Sequence, residues 1–382
     1  MKKNSGFTFV EILVATAISM IALGAAMLMF RDSTKVTTNV TQGSDMNDNM
    51  RAGLNMIVQD LIQTATGIPT GGISIPNTPN AAGCNTAAPV NRPPLGMGLT
   101  FQGPNTLTPG CNVILPAIEP GNSLGPIITS PDGTKGPQTD IINILYADNT
   151  LALSQKPING AGCPGGAIAP NGSSITFDPG CVLIGAAGIP VNPGDLIMIY
   201  NGANTQGVLQ TVTSVAGQTL NFAAGDAFNL NGRTTTTTGG NILSLQNTTV
   251  VAGVATPNGT YPAPTSATRV WMITYYLSAA ADANHPMLMR EVNFNNPEPV
   301  AESFENLQFT FNFDDGTTPP PVNQVTVPTV PAPTGDNENQ IRSVNVYVGA
   351  RTAQRAGQFS YIRSNLTTQV ALRSLAYFNT YK

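Results

Sequence analysis

The chain has 382 residues, of which only 10% are charged, and it contains 38 glycines and 31 prolines. A typical soluble protein carries about 25% charged residues. Asn and Thr are also abundant, which favours turns and strands over helices. The net charge of −4 argues against a general nucleic-acid surface, because such surfaces need a basic patch. The length is sufficient for one large domain or two small ones.

The first element is an apolar segment from Phe7 to Phe30, in which Glu11 is the only charged side chain. A helix of this length spans the ~30 Å hydrocarbon core of a bilayer. A secretory signal peptide fits poorly, because the run is too long and no small-x-small cleavage site follows it. A plain anchor with Lys2 and Lys3 held inside accounts for the segment. It does not account for Glu11 or for the glycine before the run.

The helix is predicted to continue beyond the membrane. Residues 31–49 are polar, and apolar residues then recur at the spacing of one helical face: Met46, Met50, Leu54, Ile57, Leu61 and Ala65. Gly67 and Pro69 provide a stop signal. We therefore expect one helix of about 60 residues, roughly 90 Å long. Residues 7–30 form its transmembrane half, and residues 31–67 pack on the head.

From residue 68 the pattern changes to short strands separated by turn residues. Strands are predicted at 139–148, 193–202, 268–279, 285–294, 302–313 and 341–352, with a hairpin at 207–222. The proline-rich segment 316–339 is expected to be a mobile insert. The predicted fold class is α+β, in which one long N-terminal helix packs on a mainly antiparallel β head, residues 68–382.

The four cysteines fall into two local pairs, Cys84 with Cys111 and Cys163 with Cys181. Neither pair has the C-x-x-C spacing of a zinc site, and the single histidine, His285, is far from both. Outside the inner membrane thiols are oxidised, so each pair is predicted to form a disulfide across a loop rich in glycine, proline and asparagine. The sequential connectivity is favoured, and the other two connectivities stay open.

Nothing in the sequence indicates catalysis. The G-x-S-x-G, H-E-x-x-H and phosphate-loop motifs are missing, and His285 is predicted to be a turn residue, so we expect no enzyme and no cofactor. The acidic clusters at 314–315 and 336–339 lack the spacing of a calcium loop, so no metal site is predicted. The C-terminal arginines are interpreted as solvated positions without nucleic acid: Arg342, Arg351, Arg355, Arg363 and Arg373.

The stretch "KKNSG|FTFVEILVA" resembles the leader and cleavage site of type IV prepilins. It combines a short basic leader ending in Gly6, then Phe7, then Glu11, at the head of an unbroken apolar helix. The resemblance implies that prepilin peptidase removes residues 1–6 by cutting between Gly6 and Phe7, and that the Phe7 amine is then methylated. It also implies that the Glu11 carboxylate meets the Phe7 ammonium of a neighbouring subunit during assembly, where each buried charge neutralises the other.

Further blocks resemble the PilW-type minor pilins and the minor pseudopilin J of type II secretion. These blocks are "MRAGLNMIVQDLIQTATG", "GDLIMIYNG", "YYLS…MLMREVN", "AESFENLQFTFNFDDG" and "IRSVNVYVGARTA…TTQVALRS". The resemblance implies a single-pass inner-membrane protein with a periplasmic head that later enters a pilus or pseudopilus. The implied partners are prepilin peptidase, other minor pilins, the major pilin, the inner-membrane assembly platform and, before assembly, membrane lipid.

The function that these features favour is a non-enzymatic minor pilin that initiates or caps a type IV pilus. A pseudopilin of type II secretion is mechanically similar, and gene neighbourhood would separate the two. A pilus-tip adhesin or DNA-uptake receptor is a third hypothesis, which a salt-dependent DNA affinity of the head would support.

Overall fold

The computed structural model describes residues 8–69, 72–76, 90–101, 112–148, 153, 157–160, 162–185, 188–201, 206–234, 237–238, 240–251, 254–313, 322–325, 340–355 and 361–375. These residues form one long N-terminal helix, α1, and a mostly antiparallel β head. The predicted α+β fold class is therefore confirmed. We call residues 9–45 of α1 the stalk and the described residues from 68 onward the head.

Helix α1 runs from Phe9 to Gln63 and contains 55 residues. Its predicted head-facing stripe is confirmed, because Met46, Met50, Ile57 and Leu61 are buried. The predicted end at residue 67 is wrong, since the helix stops at Gln63. Ala65 adopts a φ of 65°, and its N–H donates to the carbonyl of Leu145 at 2.9 Å. The chain thus leaves the helix where pairing with the sheet replaces helical hydrogen bonds.

The strands of the described head are short, apart from β18, β21, β23 and β24. Their bounds are β1 Ile73–Pro76, β2 Asn112–Leu115, β3 Ile118–Gly121, β4 Ile127–Thr129, β5 Lys135–Gln138, β6 Ile141–Ala147, β7 Pro157–Asn159, β8 Ala167–Ile168, β9 Ser174–Thr176, β10 Leu196–Asn201, β11 Gln206–Thr211, β12 Ser214–Ala216, β13 Thr219–Asn221, β14 Gly232–Thr234, β15 Thr237–Thr238, β16 Thr248–Val251, β17 Val254–Pro257, β18 Thr265–Ser278, β19 Met287–Val292, β20 Glu298–Glu302, β21 Phe304–Phe313, β22 Val322–Val325, β23 Ile341–Arg351 and β24 Arg363–Ala371. A 3-10 helix spans Gly240–Leu245.

These elements match most of the predicted strands. β6, β10, β18, β19, β21 and β23 lie within or across the predicted segments, and β18 pairs with β19 as an antiparallel hairpin. The predicted hairpin at 207–222 is present as β12 and β13, with Ala216 opposite Thr219, while β11 pairs with β10 instead. Of the predicted insert 316–339, the structure describes only β22 and Gln340 beyond it, and β22 pairs with β21.

The largest sheet has ten strands and is organised around the 14-residue strand β18. One edge of β18 pairs with β10 and then β19, and the other edge pairs with β7 and then β6. Asn293 fills the gap between β10 and β19. Its Oδ1 accepts a hydrogen bond from the Met272 N–H at 3.1 Å, and its Nδ2 donates to the Gly194 carbonyl at 3.4 Å. Strand β18 thereby joins β10 and β7, which pair with its first part, to β19 and β6, which pair with its second part.

A second sheet has four strands in the order β22-β21-β23-β24, all antiparallel. The head-facing side of α1 packs between this sheet and β19–β20, and four phenylalanines of β21 fill the space: Phe304, Phe309, Phe311 and Phe313. Asp140 ties the two sheets together, since its carboxylate accepts the N–H groups of Ser123 and Phe309 at 2.8 Å each. Burial raises the pKa of Asp140 despite these bonds.

A separate hydrophobic core lies under β8, β9, β13 and the 3-10 helix. The structure joins Cys163 to Cys181 beside this core, which is the predicted pairing. Closing a loop of this length stabilises a protein by about 3 kcal/mol in the chain-entropy model. Cys84 and Cys111 lie outside the described residues, so their disulfide stays a prediction.

The carboxylate of Asp60 fastens α1 to the ten-stranded sheet. Asp60 is only 6% exposed, and its Oδ2 accepts hydrogen bonds from the Tyr275 hydroxyl at 2.6 Å and from Arg290 Nε at 2.8 Å. The Tyr146 hydroxyl reaches Oδ1 at 3.4 Å. Burial and the Asp60 charge raise the pKa of Tyr275, and they raise that of Tyr146 to about 12. Both hydroxyls therefore stay protonated and act as donors.

Gly53 lets α1 approach the sheet closely. A Cβ at this position would lie 2.9 Å from Leu288 Cδ2 and 3.1 Å from Phe304 Cζ, whereas one at Gly43 would meet nothing within 4 Å. Glycine inside a helix costs about 1 kcal/mol relative to alanine. At residue 53 this cost is offset by packing, because a larger side chain would displace the two buried neighbours.

Asp60→Ala tests this attachment. The substitution leaves Arg290 and two tyrosine hydroxyls without their buried acceptor, so the free energy of unfolding should fall by about 3–5 kcal/mol. Urea unfolding of the full chain in detergent, followed by the fluorescence of Trp271, measures the change. Asp48→Ala alters an exposed carboxylate of the same helix and should be nearly neutral. Equal losses in the two variants would contradict the proposed role of Asp60.

Glu291 is a second buried carboxyl group, on β19, with 0% exposure. Its two oxygens accept the backbone N–H of Leu95, each at 3.3 Å. Burial raises the pKa of Glu291 to about 7, although this hydrogen bond acts in the opposite direction. Burial together with the Glu291 charge also raises the pKa of Tyr276 to about 12. The loop that contains Leu95 therefore covers a carboxyl group that is neutral at mildly acidic pH.

The head should lose stability as the pH rises from about 4.5 to about 7. In this window the folded state holds the Glu291 proton that the unfolded chain has released, so raising the pH favours unfolding. The loss should be on the order of 2–3 kcal/mol. Unfolding of the wild type and of Glu291→Gln as a function of pH measures it. Glu291→Gln should flatten the curve in this window, and an unchanged pH dependence would contradict the assignment.

Candidate functional site

The first part of the stalk, Phe9 to Phe30, presents an apolar surface that the head does not cover. The exposed fractions of Phe9, Met29 and Phe30 are 78%, 75% and 76%. Helix α1 is long and apolar enough to cross a membrane, and none of its most apolar 18-residue window is buried in the described structure. Monomeric soluble proteins seldom expose apolar patches above a few hundred Å². The surface therefore requires lipid or other helices around it.

Between the apolar segment and the head, α1 carries threonines that bond to their own helix. Each of four hydroxyls donates to the carbonyl four residues earlier at 2.8–3.0 Å: Thr34, Thr37, Thr38 and Thr41. These bonds satisfy the four hydroxyls within the helix, at positions that are exposed. Gln42 already bonds to Gln354 of the head at 3.3 Å, and Met46 is the first buried side chain of α1. The polar stretch 31–41 before these contacts is roughly 17 Å long.

Glu11 belongs to a capping box at the start of α1. Its Oε2 accepts the Thr8 backbone N–H at 2.9 Å and the Thr8 hydroxyl at 3.0 Å. In return, Thr8 Oγ1 accepts the Glu11 N–H at 3.3 Å. The spacing T-x-x-E is the sequence signature of this motif, so Thr8 and Glu11 could have been recognised as a cap from the sequence. Glu11 therefore has a local role that the resemblance to prepilins does not imply.

The capping box leaves Glu11 able to bind a cation. A carboxylate offers about four lone-pair sites, and both Thr8 bonds reach the same oxygen. The helix dipole also stabilises negative charge at this end. Capping needs only an acceptor oxygen, whereas pairing with an ammonium needs the charge, so the two roles can be separated by substitution. Gly6 and Phe7 lie outside the described residues, so the predicted cleavage and methylation stay predictions.

The remaining candidate residues from the sequence are His285 and the acidic clusters. His285 lies in the turn between β18 and β19, with its Nδ1 2.7 Å from Asp282 Oδ2. Among the described residues, no group of three or more His, Cys, Asp or Glu could hold a metal ion. The acidic clusters at 314–315 and 336–339 lie outside the described residues, so the structure does not bear on them.

The interpretation of the C-terminal arginines as solvated is wrong for Arg351. This side chain is fully buried, its Nε lies 2.9 Å from Glu305 Oε1, and its guanidinium stacks over the Tyr361 ring at 4.4 Å. Glu305 also pairs with Arg363 at 2.8 Å. This pairing is not evident from the sequence, because Glu305 is 46 residues away on β21 and pairing of β21 with β23 brings the two residues together.

One comparison with known proteins gave a match. Residues 1–27 match the family model described as the prokaryotic N-terminal methylation motif. No curated protein matches the chain, and no solved structure does. The match covers the first part of α1 and the residues before it, but not the head. Together with the exposed apolar helix, it supports a type IV pilin-like or pseudopilin-like protein that is processed at its N-terminus and anchored in a membrane by α1.

Proposed function

We propose that the chain is a minor pilin that initiates or caps a type IV pilus. The observation that carries this proposal is the methylation motif at the head of a helix whose apolar surface the head leaves uncovered. Before assembly, lipid would cover this surface, with Lys2 and Lys3 on the cytoplasmic side and the head in the periplasm. After extraction, the helices of other pilins would cover it. Cleavage between Gly6 and Phe7 prepares this step by creating a new amine.

In this mechanism Glu11 sets the register between subunits. A carboxylate within an apolar bundle costs several kcal/mol unless a cation neutralises it. The N-methylated ammonium of a neighbour's Phe7 supplies that cation only when the two helices are correctly staggered. The capping box supports this role, because it holds the carboxylate at the end of the helix before the neighbour arrives.

The PilW-like assignment rests on the head. The sequence blocks that resemble this family form β10, the β18–β19 hairpin and the β21, β23 and β24 strands of the four-stranded sheet. A pseudopilin of type II secretion carries the same N-terminal motif and is the second candidate. Partners would then be secretion proteins instead of the major pilin, so the identity of cross-linked subunits separates the two functions.

Three substitutions separate docking from capping. Glu11→Gln keeps an acceptor for the capping box but removes the charge, Glu11→Ala removes both, and Thr8→Ala removes the cap while keeping the charge. If the charge is used for docking, both Glu11 variants should lose cross-linking to other minor pilins in native membranes. The loss should be about 100-fold or more, corresponding to about 3–5 kcal/mol for a broken buried pair. Thr8→Ala should retain most of the cross-linking.

All three variants should still be inserted and cleaved, which serves as the control for folding and export. Normal cross-linking by Glu11→Gln, with loss in Glu11→Ala and Thr8→Ala, would show that Glu11 only caps the helix. That result would contradict the docking role while leaving membrane anchoring intact.

Processing has its own test. Gly6→Val places a branched side chain next to the scissile bond and should leave an uncut precursor held in the membrane. Immunoblotting for precursor and mature forms measures the effect, and Ser5→Val, one residue further from the bond, is the matched control. Normal cleavage of Gly6→Val would count against recognition of Gly6 by the peptidase.

A further inference from the structure

A cleft opens on the outer face of the four-stranded sheet, the face turned away from α1. Its volume is about 320 Å³, which lies at the lower end of the range for small-molecule sites. Gly349 on β23 forms its floor and stands in register between Asn306 on β21 and Asn365 on β24. The Cα atoms of the two asparagines are therefore roughly 10 Å apart, across a position without a side chain. Tyr347 and Pro137 also line the cleft.

The glycine at the floor of the cleft is not required by the backbone. Gly349 does not adopt a positive φ, so the strand has no conformational need for glycine here. A Cβ at this position would lie 3.2 Å from Asn306 Cβ and 3.7 Å from Tyr347 Cε1, and a larger side chain would extend into the cleft. Glycine inside a strand weakens a sheet and often marks a place where a ligand approaches closely. The missing side chain at residue 349 thus keeps the cleft open.

The polar groups around the cleft differ from those on the rest of this face. Farther along the face, polar side chains of the three strands satisfy one another, as in the 2.7 Å bond from Asn312 Nδ2 to Ser343 Oγ. At the cleft, the Asn365 amide and the Tyr347 hydroxyl make no hydrogen bond with the described residues. Asn306 bonds through its Oδ1, which leaves its Nδ2 group available. Three groups that can form hydrogen bonds thus surround the cleft without using that capacity within the described chain.

The charged side chains that line the cleft are paired with one another or with their neighbours. Glu305 contacts Arg351 at 2.9 Å and Arg363 at 2.8 Å. Arg363 also contacts Asp132 at 2.8 Å, so two cations and two carboxylates balance at this end of the cleft. An anionic ligand would have to displace a carboxylate from an arginine, and a cationic ligand would have to displace an arginine. The cleft therefore favours a ligand that is polar but uncharged.

We propose that this cleft binds a neutral pyranose unit of a carbohydrate. A pyranose ring has an apolar face of C–H groups, which would pack on the Tyr347 ring, and hydroxyl groups at its edge that both donate and accept hydrogen bonds. The amides of Asn306 and Asn365 also donate and accept, so they match these hydroxyls on both sides of Gly349. The inference does not depend on the proposed pilus function, because it uses only the geometry of the head.

Retention of the full chain on immobilised glycans tests the proposal. Fluorescent phospholipid liposomes that contain the chain display many heads, which raises the apparent affinity of a weak single site. The probes are neutral glucans, galactans, mannans and oligomers of N-acetylglucosamine, with heparin as the anionic comparison and liposomes without protein as the blank. The wild type should be retained on at least one neutral glycan and released by the same glycan in solution. It should not prefer heparin.

Substitutions in the cleft connect the retention to this site. Tyr347→Ala removes the ring on which the sugar would pack, and Asn365→Ala removes an exposed amide without a partner in the described chain. Each should lower retention about tenfold. Gly349→Leu should fill the cleft and abolish retention. Gln369→Leu lies on the same face of β24, four residues from Asn365, and is the matched control that should bind as the wild type does.

Thermal unfolding verifies that each variant is folded. Asn365→Ala changes an exposed side chain, so it decides the question even if Gly349→Leu does not fold. Retention on none of the neutral glycans, a preference for heparin, or retention that Asn365→Ala and Tyr347→Ala leave unchanged would overturn the proposal.

Discussion

The buried carboxylate of Asp60 is the interaction on which the geometry of the molecule depends. Stalk residues Phe9 to Thr38 are exposed, and near the head the Gln42 side chain donates a hydrogen bond to Gln354 Oε1 at 3.3 Å. The direction of the stalk is therefore set by the last turns of α1. There Arg290 and two tyrosines hold Asp60, and Gly53 brings the helix against β19 and β21.

This arrangement separates two tasks along one helix. The first part of α1 has an apolar surface that the head leaves uncovered, and its capping box is formed by Thr8 and Glu11. The second part of α1 packs against the sheets of the head.

The sequence best predicts those structural elements that depend on the pattern of neighbouring residues. The apolar run, the stripe from Met46 to Leu61 and the alternating strands around β18 depend on neighbouring residues, and the structure has all of them. The sequence poorly predicts features that depend on residues far apart in the chain. The burial of Arg351 depends on Glu305 across the sheet, and the end of α1 depends on pairing of Ala65 with Leu145. Asp60 was overlooked because its partners lie more than 80 residues away.

We propose that α1 belongs to a filament subunit that is made from a precursor cut between Gly6 and Phe7. The most direct measurement is the intact mass and N-terminal peptide of the chain purified from its native membranes. The account predicts a mature chain that begins at Phe7, carries one methyl group on its amine and lacks residues 1–6. A chain that retains Met1–Gly6, or that begins at a residue other than Phe7, would contradict it.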